Sequence, residues 1–199
     1  MLDNMELRYD IERVKSAISR NLEEVNNALL KLTAYIKLCE IDIACVGMSF
    51  FAIAGKAMYN DMLVNVFRAL DLRTNVDSFW YVERIIPVEV RSAAKSCNAD
   101  IKQVKEFSAK LLYVRNKTSV HIDKCAIEDS RAVWHKAGIS GDEFIRTLYS
   151  VARILAKLEQ ELLGYEPIAV TSYDGSDIPK IVAAYEKVYG KLHGVIPNS

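Results

Sequence analysis

Residues 140–164 read SGDEFIRTLYSVARILAKLEQELLG, and they decide the fold class. Ser140 followed three residues later by Glu143 is a capping-box pattern, in which each side chain can satisfy a backbone N–H at the start of a helix. Apolar residues then recur at helical spacing for more than five turns, with no proline to interrupt them. Gly164 supplies a residue able to take the left-handed conformation that closes a helix.

Working outward, Gly138-Ile139-Ser140 marks a break. Upstream of it, Asn98 is the expected N-cap of a helix beginning ADIKQVKEF, with Asp100 favourable in its first turn. Ile101, Val104, Phe107, Leu111, Leu112 and Val114 form its core stripe, which gives way to YVRNKTSVHIDKC (113–125). Earlier still, Thr74–Asp77 reads as a polar loop capping a short helix, SFWYVERII, that stops at Pro87. MLVNVFRALDLR (62–73) carries another helical stripe, which Asn60 or Asp61 caps or interrupts. Residues 3–20 and 21–40 are both helical in pattern, as one long helix or as two with a soft joint. The apolar run IACVGMSFFAIAG (43–55) is too short to span a bilayer and is expected to be a buried core helix. Phe50, Phe51, Trp80 and Tyr149 sit at helical spacing and are expected in the core. Downstream, EPIAVTSYDG is a loop, and Ser176 opens a last helix, IPKIVAAYEKVYGKL.

No alternating β-branched runs joined by hairpin turns occur. The expectation is an all-α, up-and-down helical bundle over 1–165, with a loop and additional C-terminal helix (166–199) packed on or extending the same domain.

The chain has 199 residues, about half of them apolar, with 26 basic and 26 acidic side chains. Global charge therefore gives no reason to expect nucleic-acid binding, and any such function must rest on a local patch. Cys39, Cys45, Cys97 and Cys125 are scattered, without a C-x-x-C pair, and read as free thiols in a reducing compartment. The N-terminal MLDNMELRYD is unlike a signal peptide, so a cytoplasmic location without membrane attachment is expected.

Arg115, Asn116 and, six positions after the arginine, His121 resemble the R-x(4–6)-H motif of the HEPN domain family, in which a polar residue often follows the arginine. RNKTSVHIDK also resembles a run in the AbiU2-like branch, associated with bacterial abortive infection. FRALDLRTNVDSFWYVERII (67–86) resembles a leucine-aspartate segment before a short apolar helix in that branch. About ten residues carry the resemblance, which extends in helical order over residues 20–165. It implies a HEPN-like bundle, a homodimer, and a metal-independent endoribonuclease acting as a toxin or antiphage effector, without a cofactor and with an antitoxin as a possible partner. The chain departs from the family at one point. In toxins controlled by a small nucleotidyltransferase antitoxin, H-x-Tyr carries the modified tyrosine. Position 123 here is Asp, which argues against that route, although Tyr113 precedes the arginine.

The residue types suit the chemistry. When the 2′-hydroxyl of RNA attacks its own phosphorus, the protein must move protons and stabilise phosphoryl charge. Histidine titrates near neutrality, and arginine offers a permanent cationic fork. On an ideal helix, residues six apart stand about 120° around and about 9 Å along the axis, so one chain aligns Arg115 and His121 poorly on one phosphate. Two copies about a two-fold axis would line a shared cleft. Lys102, Lys105, Lys110, Arg115, Lys117 and Lys124 face only Asp100, Glu106 and Asp123 between residues 98 and 124, a net +3 able to attract phosphate. Lys117 precedes His121 by four residues, on the same helical face, where its charge favours neutral imidazole. Asn116, able to orient substrate or bridge the dimer, and Lys124 are supporting candidates, and Asp123 is either an acid that orients His121 or a plain surface acid.

Plainer readings stand beside this one. Arg115 and His121 can be a solvent-facing helix end, and the lysines the wet face of an amphipathic helix. His121 and Cys125 are four apart, but zinc needs further ligands at defined spacing, so no metal is expected. Two other functions remain open: a non-catalytic HEPN-type dimer serving as an interaction or nucleotide/RNA-binding module, and a helical bundle binding a ligand at 43–55.

Overall fold

The computed structural model describes residues 2–41, 49–120, 130–166 and 173–189. Among them are eight α-helices and one π-helical turn, and no strand, which makes the protein an all-α helical bundle. The helices are α1 (Leu2–Cys39), α2 (Ser49–Ala69), α3 (Phe79–Ile85), α4 (Pro87–Ser96), α5 (Ile101–Arg115), α6 (Ser130–Ala137), α7 (Gly141–Leu163) and α8 (Asp177–Tyr189). The π-turn, Asn116–Val120, continues directly from α5.

Leu2–Cys39 form one unbroken helix, about 57 Å long at 1.5 Å per residue. Val14, Ile18, Leu22, Val25 and Leu29 stand three or four apart and are all buried, so α1 offers one continuous apolar stripe. Both α2 and α7 lie along that stripe and run antiparallel to it. Lys31 pairs with Asp61 and Glu24 with Arg68, while Ser19 meets Glu159. Phe107, Leu148, Ile154, Leu155 and Leu158 close the core from α5 and α7.

The helix ends follow local chemistry. The Ser140 hydroxyl accepts from Glu143 N–H at 3.1 Å, and Gly164 takes φ +72° at the end of α7. Only half of the capping box forms, because the Glu143 carboxylate turns to Lys110 Nζ at 2.7 Å.

Several expectations are corrected. Asn98 does not cap α5; Asp100 does, accepting from Lys102 N–H at 2.8 Å. Asn98 instead ends α4 in the left-handed conformation, φ +52°. Ala99 N–H reaches Ala94 O and Asn98 N–H reaches Lys95 O, the bonding of a Schellman cap. Pro87 does not only stop α3: it occupies the first turn of α4, where its missing N–H costs nothing. Asn60 and Asp61 neither cap nor interrupt; α2 runs through them, and Asp61 pairs with Lys31 across α1. The described part of the apolar run is not a buried core helix. Phe50 is 70% exposed and Ile53 is also exposed, because this end of α2 extends beyond the main core. Phe51 is half-buried against Tyr185, beside Val182 and Ile41, Trp80 is buried, and Tyr149 lies at the surface.

The C-terminal helix packs on α1. Gly175 (φ +69°) approaches Lys37 so closely that a Cβ there would stand 2.6 Å from its side chain. No described helix is long and apolar enough to cross a membrane.

Candidate functional site

Of the residues singled out in 113–125, the structure describes Arg115, Asn116 and Lys117; His121, Asp123, Lys124 and Cys125 lie outside the described residues. Arg115 is the last residue of α5, and the backbone beyond it is π-helical. A π-turn bonds i to i+5 and is often found at functional sites. Over Asn116–Val120 the backbone therefore departs from ideal α-helical register.

α5 aims Arg115 inward. Leu111, Ser108 and Val104 precede it at spacings of four, seven and eleven, and all three are buried on the same side. The Arg115 side chain is only 15% exposed, and its Nη1 donates to Asp71 Oδ2 at 2.7 Å. Nη2 reaches Asn116 Oδ1 at 3.5 Å, and Nε is buried with no hydrogen-bond partner among the described residues.

Asp71 stands just past the end of α2, its side chain 3% exposed. It also takes Arg73, whose Nε donates to both carboxylate oxygens (3.1 and 3.0 Å), whose Nη2 donates to Oδ2 (2.7 Å) and whose backbone N–H donates to Oδ1 (3.0 Å). The loop is fixed from beneath by the Ser78 hydroxyl, which donates to Asp71 O at 2.6 Å. Burial alone pushes the Asp71 carboxyl up, but the hydrogen bonds and charge from Arg73 and Arg115 outweigh it and hold the group below the usual aspartate range. The carboxylate stays ionised, and the corner carries two cations for one anion.

Sequence alone gives Asp71 and Arg73 of FRALDLR no role. The available signal was an aspartate at the end of an apolar helix, a poor place for a charge without a partner.

Three lysines of the proposed patch, Lys102, Lys105 and Lys110, do not gather here. Lys110 is bound to Glu143 and Gly138 O, and Lys102 and Lys105 are exposed nearer the start of α5. The concavity touching Arg115 is about 10 Å³, at the lower limit for a single water. A larger open groove, about 1360 Å³, lies between α4, α5 and α7, with Arg91, Lys95, Arg146 and Arg153 along it, and Arg115 is not among its lining residues. Among the described residues no group of three or more His, Cys, Asp or Glu is placed to hold a metal ion.

No family model, no curated protein and no solved structure matches the chain.

Proposed function

We propose that the protein is a HEPN-type, metal-independent endoribonuclease that works as a homodimer, with Arg115 stabilising phosphoryl charge and His121 moving the proton at a scissile linkage. The observation that carries this reading is the Asp71 corner. An arginine at a helix end, followed by a π-turn, is held rigidly by a buried carboxylate and keeps a surplus of positive charge around it. Asn116, within 3.5 Å of Arg115, and Lys117 are supporting residues, as are Asp123 and Lys124. A cytoplasmic toxin or antiphage effector is the setting this chemistry suits.

One observation favours a second reading, a non-catalytic dimer that binds RNA or nucleotide. Arg115 already has a partner, so its guanidinium can serve the fold as well as a substrate.

Purified protein incubated with RNA in EDTA, beside His121→Ala, separates the two. The nuclease reading expects fragments ending in 2′,3′-cyclic phosphate with the native chain and none with the variant. Equal cleavage by both, or by neither, removes it. Sizing at micromolar concentration should give a dimer, and a monomer at every concentration tested removes the shared cleft.

A further inference from the structure

Arg115 alone would neutralise Asp71, yet a second guanidinium is fixed to the same carboxylate. Arg73 approaches side-on through Nε and Nη2, with its backbone N–H adding a further bond, so its position is set by four contacts. Its side chain remains 59% exposed, and its Nη1 makes no hydrogen bond among the described residues. Both arginines place a terminal nitrogen 2.7 Å from Asp71 Oδ2, so those two nitrogens are separated by no more than twice that distance. The oxygens of one phosphate can bridge such a span with charge-assisted bonds of about 2.7–2.9 Å. The neighbouring acid, Asp77, is committed to Arg13 at 2.7 Å. An exposed ion pair contributes little to stability, and ordering a long side chain costs entropy. An arginine pinned along one edge and free along the other is, by contrast, preorganised for a planar, bidentate anion.

We propose that Arg73 is a second phosphate-binding residue of the site, taking a phosphodiester of single-stranded RNA together with Arg115, while Asp71 holds both guanidiniums in register. The identity of the polymer rests on the nuclease reading above; the pairing of the arginines does not. Arg73 acts by binding and charge, and no proton transfer is assigned to it.

The test uses the full chain, EDTA, and a fluorescein-labelled 2′-O-methyl RNA dodecamer, which lacks the attacking hydroxyl and stays intact. Arg73→Gln should weaken binding about fivefold or more at low salt and reduce the slope of log K against log salt by about 0.7, the value for one phosphate contact on a single strand. Arg73→Lys should keep the native slope and lose part of the affinity, because an ammonium lacks the fork. A purely structural arginine would leave the salt slope of both variants unchanged, and that result overturns the proposal. Phenylglyoxal labelling of the native chain, read by peptide mass, does not depend on a variant folding. Bound RNA should protect Arg73, and full labelling of Arg73 under saturating RNA, or no RNA binding at all, also overturns it. Cleavage of ordinary RNA with Arg73 unprotected removes this proposal and leaves the nuclease reading. Protection of Arg73 without any cleavage does the reverse.

Discussion

Among the described residues two carboxylates are buried, and they are treated in opposite ways. Glu159, on α7, is 4% exposed and receives a single hydrogen bond at 2.5 Å, from the Ser19 hydroxyl of α1; its Oε2 has no partner among the described residues. No cation is paired with it in the described structure. Asp71, similarly buried, receives five hydrogen bonds from two arginines. Glu159 lies where long apolar stripes already hold two helices together, so its satisfaction is incidental to the fold. At Asp71 the chain turns out of α2, and two guanidiniums converge on one carboxylate beside Phe67, Leu70, Leu72 and Leu111. Positive charge in excess of what the buried acid requires is the feature that the proposed phosphate contact would use.

The largest effect expected from this contrast is that of Asp71→Ala. It leaves Arg115 buried beside an Nε that already has no partner, and breaking a buried pair from one side costs about 3–5 kcal/mol. Urea unfolding should show that loss. Replacing both members, as Asp71→Leu with Arg115→Met, should recover most of it, since an apolar pair of similar volume is often neutral or better. The double variant should nevertheless fail to cleave RNA. A folded, stable double variant with native cleavage would falsify the catalytic role of Arg115.

How much of this was legible in the sequence follows the same division. α7 announced itself because each of its signals is local: Ser140, a helical stripe and Gly164 need no distant partner. α1 was legible as helix, and its packing settled that it is unbroken. α4 is hidden in the sequence because Pro87 ends one helix and, with its fixed φ, equally suits the first turn of the next. Asn98 closes that hidden helix, which leaves the cap of α5 to Asp100. At Phe50 and Ile53, hydrophobicity was read as burial, but an apolar residue is buried only where another element reaches it. Arg115 and Asn116 were visible as a motif. Their partners were not, because Asp71 is 44 residues away and nothing in LDLR states which helix end it will meet.

A smaller effect is expected from pH at Asp71. The folded Asp71 ionises below its unfolded value of about 3.9, so its contribution to stability is fully present above that value and is lost as pH falls through the lower, folded pKa. Unfolding free energy measured from pH 6 to pH 2 should therefore decline below about pH 4 in the native protein. The Asp71→Leu/Arg115→Met variant should show a shallower decline, lacking this one linkage. Identical acid profiles would mean that Asp71 is not held ionised by its arginines.

The smallest change is expected at Glu159, and it tests whether the contrast is real. Ser19→Ala with Glu159→Met removes the donor and the acceptor together and fills the space with apolar atoms, the case in which losing a buried hydrogen bond is nearly neutral. The α1–α7 contact around it is made by Ile18, Leu22, Leu155 and Leu158, all fully buried, and does not depend on the polar pair. Stability should stay within about 1 kcal/mol of the native chain, and RNA cleavage should be unchanged. Ser19→Ala alone should cost more than the double variant, because it leaves a buried carboxylate without its donor. A collapse of the double variant comparable to that of Asp71→Ala would place both acids in one class, and the excess of charge at Asp71 would then no longer single out the Arg115 corner as a site.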